Sequence, residues 1–492
     1  MNSTTITWVE CPPDSTFGTL EAIECGQITV PLNHSDPHGD TIQLMLTRLR
    51  ATSSNNLGPL FLNAGGPGLW TSNLVKAQAY FEKTGREASR NFSPDLRNSY
   101  DLIGLDMRGE GLSQPIFCNS EIYNRPYKMM PTDQASFDQL WKRNRAFAES
   151  CHNMTGPLFT HLGTDQAIRD LDLVRQALGA DVFNYLGYSY GTEVGSAYAS
   201  LYPHTVGRMV IDGNLDHSMT VPQAVISLAN ALEDTLEYFF KWCNTTTDNA
   251  LYGQDQHAVW DGILKHADEG TLIAATCEET GKCNSTITAD TFVFNAQGLM
   301  ENGNVKKSLP GAKSDFYLLA ERLDAARDGN GTAFAAPYAT SNSSSDPAMG
   351  ASYSFVSIFC SDWAHTIRSV GDMRAIATAA NIVAPRTRGL GTMAIAQSNC
   401  VGWPFSPSFH QRHLDFSGVP DLPPIMVVGS FHDEATAMQW SVQQRFQIPN
   451  AFNVWRNGGG HTDYHFMGET QKAIDAFLLN GTIPEDGTVY ST

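Results

Sequence analysis

The fold is decided by the stretch Val182–Ala199, which reads VFNYLGYSYGTEVGSAYA. Its first five residues form an apolar run that is typical of a short buried strand, and its second half is rich in the small residues of a tightly packed helix. Between them lies a G-x-S-x-G motif centred on Ser189, in the strand-turn-helix context that this motif requires. A serine on so sharp a turn has a strained backbone and holds its hydroxyl above the sheet. The stretch therefore predicts that Ser189 is a nucleophile.

A nucleophile of this kind needs donors for the oxyanion that forms when it attacks a carbonyl. The glycine-rich turn Gly65–Gly68 follows the strand pattern Leu60–Asn63, and a loop in this position can supply one donor, with the residue after the serine supplying the other. The candidates are the backbone N–H groups of Gly66 and Tyr190, because Pro67 has no N–H. Taken alone, the turn is equally typical of an ordinary glycine loop.

An acid and a base follow the serine in the chain. The apolar run Pro424–Gly429 predicts a strand of a parallel sheet, and Asp433 comes shortly after it. The next strand pattern, Phe452–Trp455, leads through three glycines to His461. The order Ser, Asp, His predicts that His461 takes the proton of Ser189 and that Asp433 fixes the imidazole tautomer.

Other residues compete for these roles. Asp212, at the end of a neighbouring strand pattern, could orient the base in place of Asp433. Glu434 is adjacent to Asp433, and we expect it to point the other way along an extended turn. We expect His432 and His465 at the surface or one layer behind the site, and not as the base.

These pieces resemble the tripeptidyl aminopeptidase and prolyl aminopeptidase group of α/β-hydrolase serine peptidases. The matching segments run nearly from end to end: Val30–Asn33 with Asp36 and Pro37, Gly65–Gly68, Asp106–Ser113, Gly187–Thr192, Asp212 with Gly213, Phe359–Trp363, Trp403 with Pro404, and Gly460 with His461. The resemblance implies an α/β fold of the α/β-hydrolase type, in which a doubly wound, mostly parallel sheet carries a large helical lid between the sixth and seventh core strands. We expect no cofactor and no metal.

The sequence patterns agree with such an insertion. Strand signals dominate to about residue 216, fade from 217 to 404, and return in 405–492. Apolar residues from Val225 to Phe239 and from Phe316 to Ala326 recur at helical spacing in the middle part. We predict a catalytic core in two segments, 1–216 and 405–492, with a helical lid at 217–404.

The chain also departs from that group. After the predicted oxyanion loop, Gly65–Gly68, it carries Leu69 and Trp70, where relatives tend to have small residues. We expect both side chains to contact substrate, with Trp70 as a wall of the pocket. For Trp70 the alternative is that the indole packs under the lid. For the loop Asp106–Gly109 we expect an Asp106–Arg108 pair that braces it, with direct substrate contact as the alternative.

The predicted activity is that of a serine hydrolase with an acyl-enzyme at Ser189, most like an exopeptidase that releases short peptides or amino acids from a free N-terminus. Carboxylates of the lid could bind the substrate ammonium, and the candidates are Glu233, Glu237, Glu321 and Asp362. The alternative is an esterase, lactonase or amidase that acts on a small apolar metabolite, which Leu69 and Trp70 favour. A binding protein on a hydrolase scaffold is a third interpretation, opposed by the intact set of catalytic candidates.

The composition of the chain argues against several classes of binding partner. The 492 residues carry a formal charge of −19, which argues against nucleic acid or an anionic membrane surface as a partner. No apolar run reaches the roughly 18 residues of a membrane span. None of the nine cysteines forms a C-x-x-C pair, so we expect no zinc site. We expect a short peptide or other small molecule as the substrate.

The cysteines and sequons point to the secretory pathway. Cysteine order suggests local bridges, and the resemblance implies the pairs Cys11–Cys25, Cys118–Cys151, Cys277–Cys283 and Cys360–Cys400, with Cys243 left over. Sequons begin at Asn2, Asn33, Asn91, Asn153, Asn244, Asn284, Asn330, Asn342 and Asn480. No signal peptide is visible at Met1–Thr5, so we expect that one was removed, with an intracellular descendant of secreted ancestors as the alternative.

Overall fold

The computed structural model describes residues 5–85, 92–304, 313–344, 350–409, 411–419 and 421–491. Two of the predicted sequon asparagines, Asn2 and Asn91, lie outside these ranges. Among the described residues, no helix combines the length and the apolar character that a membrane span needs.

The described strands form one sheet of ten: β1 (Thr7–Val9), β2 (Ile23–Pro31), β3 (Thr41–Leu49), β4 (Pro59–Asn63), β5 (Asp101–Leu105), β6 (Phe183–Tyr188), β7 (Val206–Asp212), β8 (Ile425–His432), β9 (Ala451–Gly459) and β10 (Thr488–Ser491). Their order across the sheet is β1-β2-β3-β5-β4-β6-β7-β8-β9-β10. In this order, the three pairs β1-β2, β2-β3 and β3-β5 are antiparallel. The remaining pairs, from β5-β4 to β9-β10, are parallel. The predicted mostly parallel α/β sheet is confirmed.

The helices before the lid are α1 (Thr71–Thr84), α2 (Pro94–Ser99), α3 (Ser120–Tyr123), α4 (Gln134–Thr155), α5 (Thr164–Ala177) and α6 (Tyr190–Leu201). The next eight are α7 (Val221–Thr245), α8 (Gln256–Asp268), α9 (Ala275–Thr280), α10 (Ala289–Gln297), α11 (Asp315–Ala326), α12 (Gly350–Asp362), α13 (Val370–Val383) and α14 (Thr392–Asn399). After them come α15 (Met438–Gln447) and α16 (Glu469–Asn480).

The sheet lies between two helical layers because its central strands are apolar on both faces. In β7, Met209 and Ile211 belong to one hydrophobic core, and Val210 between them belongs to the other. The second core contains Val75 of α1 and Ile474 of α16. The first contains buried residues of α5, α6 and the lid helices. The carboxyl ends of the parallel strands therefore meet at one edge, beneath the lid.

Helices α7 to α14 lie between β7 and β8 in the chain. Counted from β2, the first of the eight strands that make the core, β7 and β8 are the sixth and seventh, as predicted. The apolar positions expected to line one face of α7 are all buried: Val225, Leu228, Leu232, Leu236 and Phe239. The boundaries at residues 217 and 404 stay predictions.

Four disulfides join the cysteine pairs that the resemblance implied: Cys11–Cys25, Cys118–Cys151, Cys277–Cys283 and Cys360–Cys400. The ninth cysteine, Cys243, is a buried free thiol in α7, and burial raises its pKa to about 12. Six of the sequon asparagines are exposed: Asn153, Asn244, Asn284, Asn330, Asn342 and Asn480. Their exposure is compatible with glycosylation, which stays a prediction.

Candidate active site

Ser189 lies on the sharp turn between β6 and α6. Its backbone angles are φ 56° and ψ −121°, and residues other than glycine rarely adopt such a positive φ. The turn is held by two hydrogen bonds of the backbone, from Ser189 N–H to the Asp212 carbonyl at 2.9 Å and from Thr192 N–H to the Ser189 carbonyl at 2.8 Å. Gly187 is required because a Cβ there would lie 2.4 Å from the Tyr185 ring. The strained serine turn predicted from the motif is present.

Asp433 and His461 lie next to each other, each shortly after the end of its strand. Nδ1 of His461 lies 3.0 and 2.9 Å from the two carboxylate oxygens of Asp433. A carboxylate only accepts, so Nδ1 donates to Asp433, and in the neutral form of the imidazole Nε2 is the basic nitrogen. Asp433 is in turn held by the backbone N–H groups of Ala435 and Thr436, at 2.8 and 2.7 Å.

The electrostatics of this pair favour an imidazolium. Burial alone would lower the pKa of His461, but the neighbouring Asp433 carboxylate, its hydrogen bond and the nearby Glu434 and Glu301 raise that pKa to about 9. Burial would raise the pKa of Asp433, yet the charge of His461 and the hydrogen bonds lower it below its ordinary value. The two groups therefore stabilise each other's charged forms.

Asp212, the rival acid, has a different role in the structure. Its carboxylate accepts the backbone N–H groups of Asp463 and Tyr464, each at 2.9 Å. These residues follow His461, so Asp212 holds the loop His461–Tyr464, which we call the histidine loop. Asp433, in contrast, accepts the hydrogen bond from the imidazole. Burial and the nearby Asp463 raise the pKa of Asp212 well above its ordinary value.

The other two candidate histidines have different surroundings. Nδ1 of His432 lies 2.6 Å from Asp234, and its ring stacks on Tyr238. His465 is buried, its ring packs on that of Tyr188 at 4.6 Å between centroids, and it lines the same cavity as Ser189 and His461. Glu434, expected to point away from the site, is instead buried and lines the same cavity as His461. Its carbonyl accepts a hydrogen bond from Nε2 of the lid residue Gln297 at 2.7 Å.

A cavity of about 560 Å³ opens over Ser189 and His461. Its lining combines the oxyanion loop, the histidine loop and several lid helices. The aromatic and apolar side chains in this lining include Tyr123, Tyr127, Met129, Phe294, Phe355, Val356 and Ile395. The polar side chains include Gln297, Glu301, Glu434 and Thr462.

The oxyanion loop lies directly against the nucleophile turn. A Cβ at Gly65 would come within 2.9 Å of Ser189 Cβ, so only glycine allows this approach. Gly66 lines the cavity, and Tyr190 begins α6 with its side chain buried. Within the described part of the chain, neither Gly66 N–H nor Tyr190 N–H has a hydrogen-bond acceptor. Both N–H groups can therefore serve an oxyanion, and this role stays a prediction.

Two buried carboxyls brace the oxyanion loop from below. Glu110 accepts the backbone N–H of Gly68 at 2.8 Å, and burial raises its pKa to about 8. Asp106 accepts both the N–H and the hydroxyl of Ser72, each at 2.9 Å, at the first turn of α1.

The predicted Asp106–Arg108 pair is wrong. Arg108 points to the other helical layer, where its guanidinium bonds both oxygens of Asp170 at 2.8 Å. Asp106 points toward α1, so the two side chains reach opposite sides of the loop. Each braces the loop, but through a different partner.

Leu69 lines the cavity and is 38% exposed, and its contact with substrate stays a prediction. Trp70 corrects our expectation, because it is not among the lining residues. Its half-buried indole packs against Gly111, where an added Cβ would lie 3.0 Å from Trp70 Cγ. Trp70 immediately precedes α1.

The lid carboxylates proposed for the substrate ammonium are occupied elsewhere, and none lines the cavity. Their partners are Arg386 N–H and Thr387 for Glu233, His257 and Arg386 for Glu237, Lys313 for Glu321, and Thr164 and Tyr190 for Asp362. The carboxyls that do line the cavity are Glu301 and Glu434. The position next to Asp433 signalled Glu434, whereas no local pattern marks Glu301, whose carbonyl accepts His461 N–H at 2.8 Å.

Metal-ligand atoms come together at Cys360, His365 and Cys400. Because the two cysteines form a disulfide, their sulfurs are not thiolate ligands here.

Comparisons with known proteins agree with this fold. A family model described as alpha/beta hydrolase fold matches residues 58–466. The chain is 27% identical over 479 residues to the serine protease Hip1 of Mycobacterium tuberculosis, covering 94% of this chain and 86% of that protein. It is 27% identical over 499 residues to the tripeptidyl aminopeptidase of Streptomyces lividans, covering 97% and 84%. It is 28% identical over 483 residues to carboxylesterase B of M. tuberculosis, covering 94% and 86%.

The match to a tripeptidyl aminopeptidase confirms the resemblance seen in the sequence motifs, and the relatives together support a hydrolase. The family model spans the chain from the strand before the oxyanion loop to the turn after His461. The chain therefore belongs to the alpha/beta hydrolase fold family.

Proposed function

We propose that the protein is a serine exopeptidase that releases short peptides or amino acids from a free N-terminus. Ser189 Oγ attacks the scissile carbonyl, and Nε2 of His461 takes its proton while Asp433 stabilises the imidazolium. The N–H groups of Gly66 and Tyr190 stabilise the oxyanion. His461 then protonates the leaving amine, and a water molecule releases the acyl group from Ser189 by the same route.

The observation that carries the exopeptidase form is a set of buried acceptors in the cavity wall. Oε2 of Glu434 and Oε1 of Gln297 are both buried without a hydrogen-bond partner among the described residues. Gln297 Nε2 donates to the Glu434 carbonyl at 2.7 Å, which leaves Oε1 as its acceptor end. Unpartnered buried acceptors are costly, and a donor from the substrate would satisfy them.

A substrate ammonium fits these acceptors best, because it brings three donors and a positive charge. Burial and the nearby Asp433 charge raise the pKa of Glu434 well above its ordinary value. A bound cation would favour the ionised form, so that Glu434 would release its proton as the ammonium enters. Glu301 lines the same cavity and adds a second acidic group. The names of the relatives Hip1 and tripeptidyl aminopeptidase support a peptide as the substrate.

The test compares matched substrates with free and acetylated N-termini. We expect aminoacyl, dipeptidyl and tripeptidyl anilides with a free amine to be cleaved at least about tenfold faster, in kcat/KM, than the acetylated forms. Ser189→Ala should remove this activity, and a fluorophosphonate probe should label the native protein but not the variant. Equal rates for free and acetylated anilides would contradict the exopeptidase proposal.

A second candidate is an esterase, lactonase or amidase that acts on a small apolar metabolite. The aromatic side chains in the cavity lining favour it, with Tyr123, Tyr127 and Phe355 on the wall and Leu69 partly exposed. The relative named carboxylesterase B adds support. Short-chain p-nitrophenyl esters and lactones in the same screen decide between the two, since this candidate predicts that esters or lactones outperform every anilide.

A further inference from the structure

Asp362 lies at the end of the lid helix α12 and is completely buried in the layer beneath the nucleophile turn. Its Oδ1 accepts the N–H of Thr164 at 2.8 Å, and its Oδ2 accepts the Thr164 hydroxyl at 2.8 Å. The same Oδ2 lies 3.2 Å from the hydroxyl of Tyr190. Asp362 therefore joins the lid to the start of α5 and to the side chain of the residue that follows Ser189.

Tyr190 connects this buried cluster to the reaction site. Its hydroxyl lies 2.6 Å from Thr164 Oγ1, and the residue is only 2% exposed. The backbone N–H of Tyr190 is the proposed oxyanion donor. A side chain that is fixed at its far end restricts the rotation of its own peptide unit, and an oxyanion donor must be held to within a fraction of an ångström.

Asp362 is itself rigidly supported. Its carbonyl accepts a hydrogen bond from Nε2 of His217 at 2.9 Å, and the disulfide Cys360–Cys400 anchors the last turn of α12. An earlier part of the same helix lines the substrate cavity through Phe355. Helix α12 thus contacts the cavity at one place and holds Tyr190 at another.

We propose that Asp362 is a positioning residue for the oxyanion hole, which acts by fixing the Tyr190 side chain and with it the Tyr190 N–H. This proposal rests on the proposed serine hydrolase mechanism. Asp362 touches neither the cavity nor the substrate, so its effect is on the chemical step and not on substrate binding.

The experiment uses Asp362→Asn, Tyr190→Phe and the double variant. Asparagine keeps the shape and one acceptor for Thr164 N–H but replaces one carboxylate oxygen by a donor. Phenylalanine removes only the hydroxyl of Tyr190 and leaves its backbone N–H in place.

Tyr198→Phe is the matched control. Tyr198 is also in α6, is fully buried, and its hydroxyl likewise bonds an aspartate and a threonine, Asp172 and Thr205, each at 2.9 Å. It lies two turns further along the helix and is not next to the oxyanion hole. The control therefore removes the same kind of hydrogen bond from the same helix.

We expect Asp362→Asn and Tyr190→Phe each to lower kcat by about 10- to 100-fold, with KM changed by less than about threefold. The affinity for phenylboronic acid, which forms a tetrahedral adduct with the serine, should fall by a similar factor. The double variant should lose no more than the worse single variant, because both changes break one linkage. Tyr198→Phe should lower the melting temperature but keep kcat and boronate affinity within about twofold.

Rates are expressed per serine labelled by a fluorophosphonate at its end point, which removes the contribution of misfolded protein. Unchanged kcat and boronate affinity in Tyr190→Phe would overturn the proposal, as would losses that multiply in the double variant. If Asp362→Asn does not fold, Tyr190→Phe and its control still decide the question. An inactive, unlabelled native protein would instead refute the serine hydrolase mechanism, so the two failures are distinguishable.

Discussion

The main-chain carbonyl of Asp212 accepts a hydrogen bond from the backbone N–H of Ser189 at 2.9 Å. The carboxylate of the same residue holds the backbone of Asp463 and Tyr464, just beyond His461. Asp212 therefore ties the nucleophile turn to the histidine loop through its backbone and its side chain together. It sets the distance between two functional loops without bonding the imidazole itself.

This arrangement predicts a clear difference between two conservative variants. Asp433→Asn would offer a donor to Nδ1 of His461 and favour the wrong tautomer, so we expect kcat to fall by about 10³- to 10⁴-fold. Asp212→Asn keeps the main-chain carbonyl and one acceptor oxygen, so we expect a loss of less than about tenfold with a destabilisation of about 1–3 kcal/mol. Kinetics and thermal unfolding of both variants test this. The reverse order of kcat losses would move the acid to Asp212.

The pH dependence follows from the His461 pKa of about 9. Only the neutral imidazole can accept the Ser189 proton, so kcat/KM should rise with pH and reach half of its plateau at an apparent pKa well above the ordinary histidine value of about 6.5. In Asp433→Asn this rise of kcat/KM should occur at lower pH, because the carboxylate charge that raises the pKa of His461 is gone. Rates measured from pH 5 to 10, after checking that activity is recovered on return to neutral pH, test this. An apparent pKa at or below the ordinary histidine value in the native protein would contradict this prediction.

The same shift has a consequence for stability. The folded pKa of His461 is raised, so its contribution to stability is fully present below the unfolded pKa of about 6.5 and is lost as the pH rises through about 9. The melting temperature should therefore decline over this alkaline interval. Asp433→Asn should show a smaller decline over the same interval.

The sequence alone selects the three candidate catalytic residues, because each follows a strand in a short local pattern. The motif around Ser189, and the positions of Asp433 and His461 after two apolar runs, require no knowledge of tertiary contacts. Strand β2 lacks such a signal, since Gly26 and Pro31 are residues that strands usually avoid.

Contacts between distant segments lie beyond such patterns. Arg108 pairs with Asp170 across 62 positions, and Asp362 reaches Tyr190 across 172. Which of several nearby carboxylates a side chain meets depends on the packing of the layers and not on spacing along the chain. For the same reason, sequence alone selected lid carboxylates that the structure shows to be occupied elsewhere.

The buried acceptors Glu434 and Gln297 in the cavity wall predict that Glu434→Gln affects only substrates with a free amine. For substrates with a free amine, loss of the charge should lower kcat/KM by about 10- to 100-fold, the range of a charge-assisted hydrogen bond. For acetylated substrates or neutral esters, the change should be less than about threefold, because no cation is bound. Glu321→Gln is the control, since Glu321 is a lid carboxylate that pairs with Lys313 outside the cavity. Equal losses for free and acetylated substrates would assign Glu434 a general structural role.

The last prediction separates the two neighbours Leu69 and Trp70. Leu69 lines the cavity, so Leu69→Ala should raise kcat/KM for bulky substrates relative to small ones. Each methylene group of substrate that the enlarged pocket accommodates should stabilise the transition state by about 1–3 kcal/mol. Trp70 packs against Gly111, so Trp70→Ala should lower the melting temperature and reduce kcat/KM by a similar factor for all substrates. A homologous series of acyl esters, measured beside thermal unfolding, distinguishes the two effects. If Trp70→Ala alone changes the ranking of substrates, the indole reaches the substrate when the cavity is filled, and Trp70 is a wall of the pocket after all.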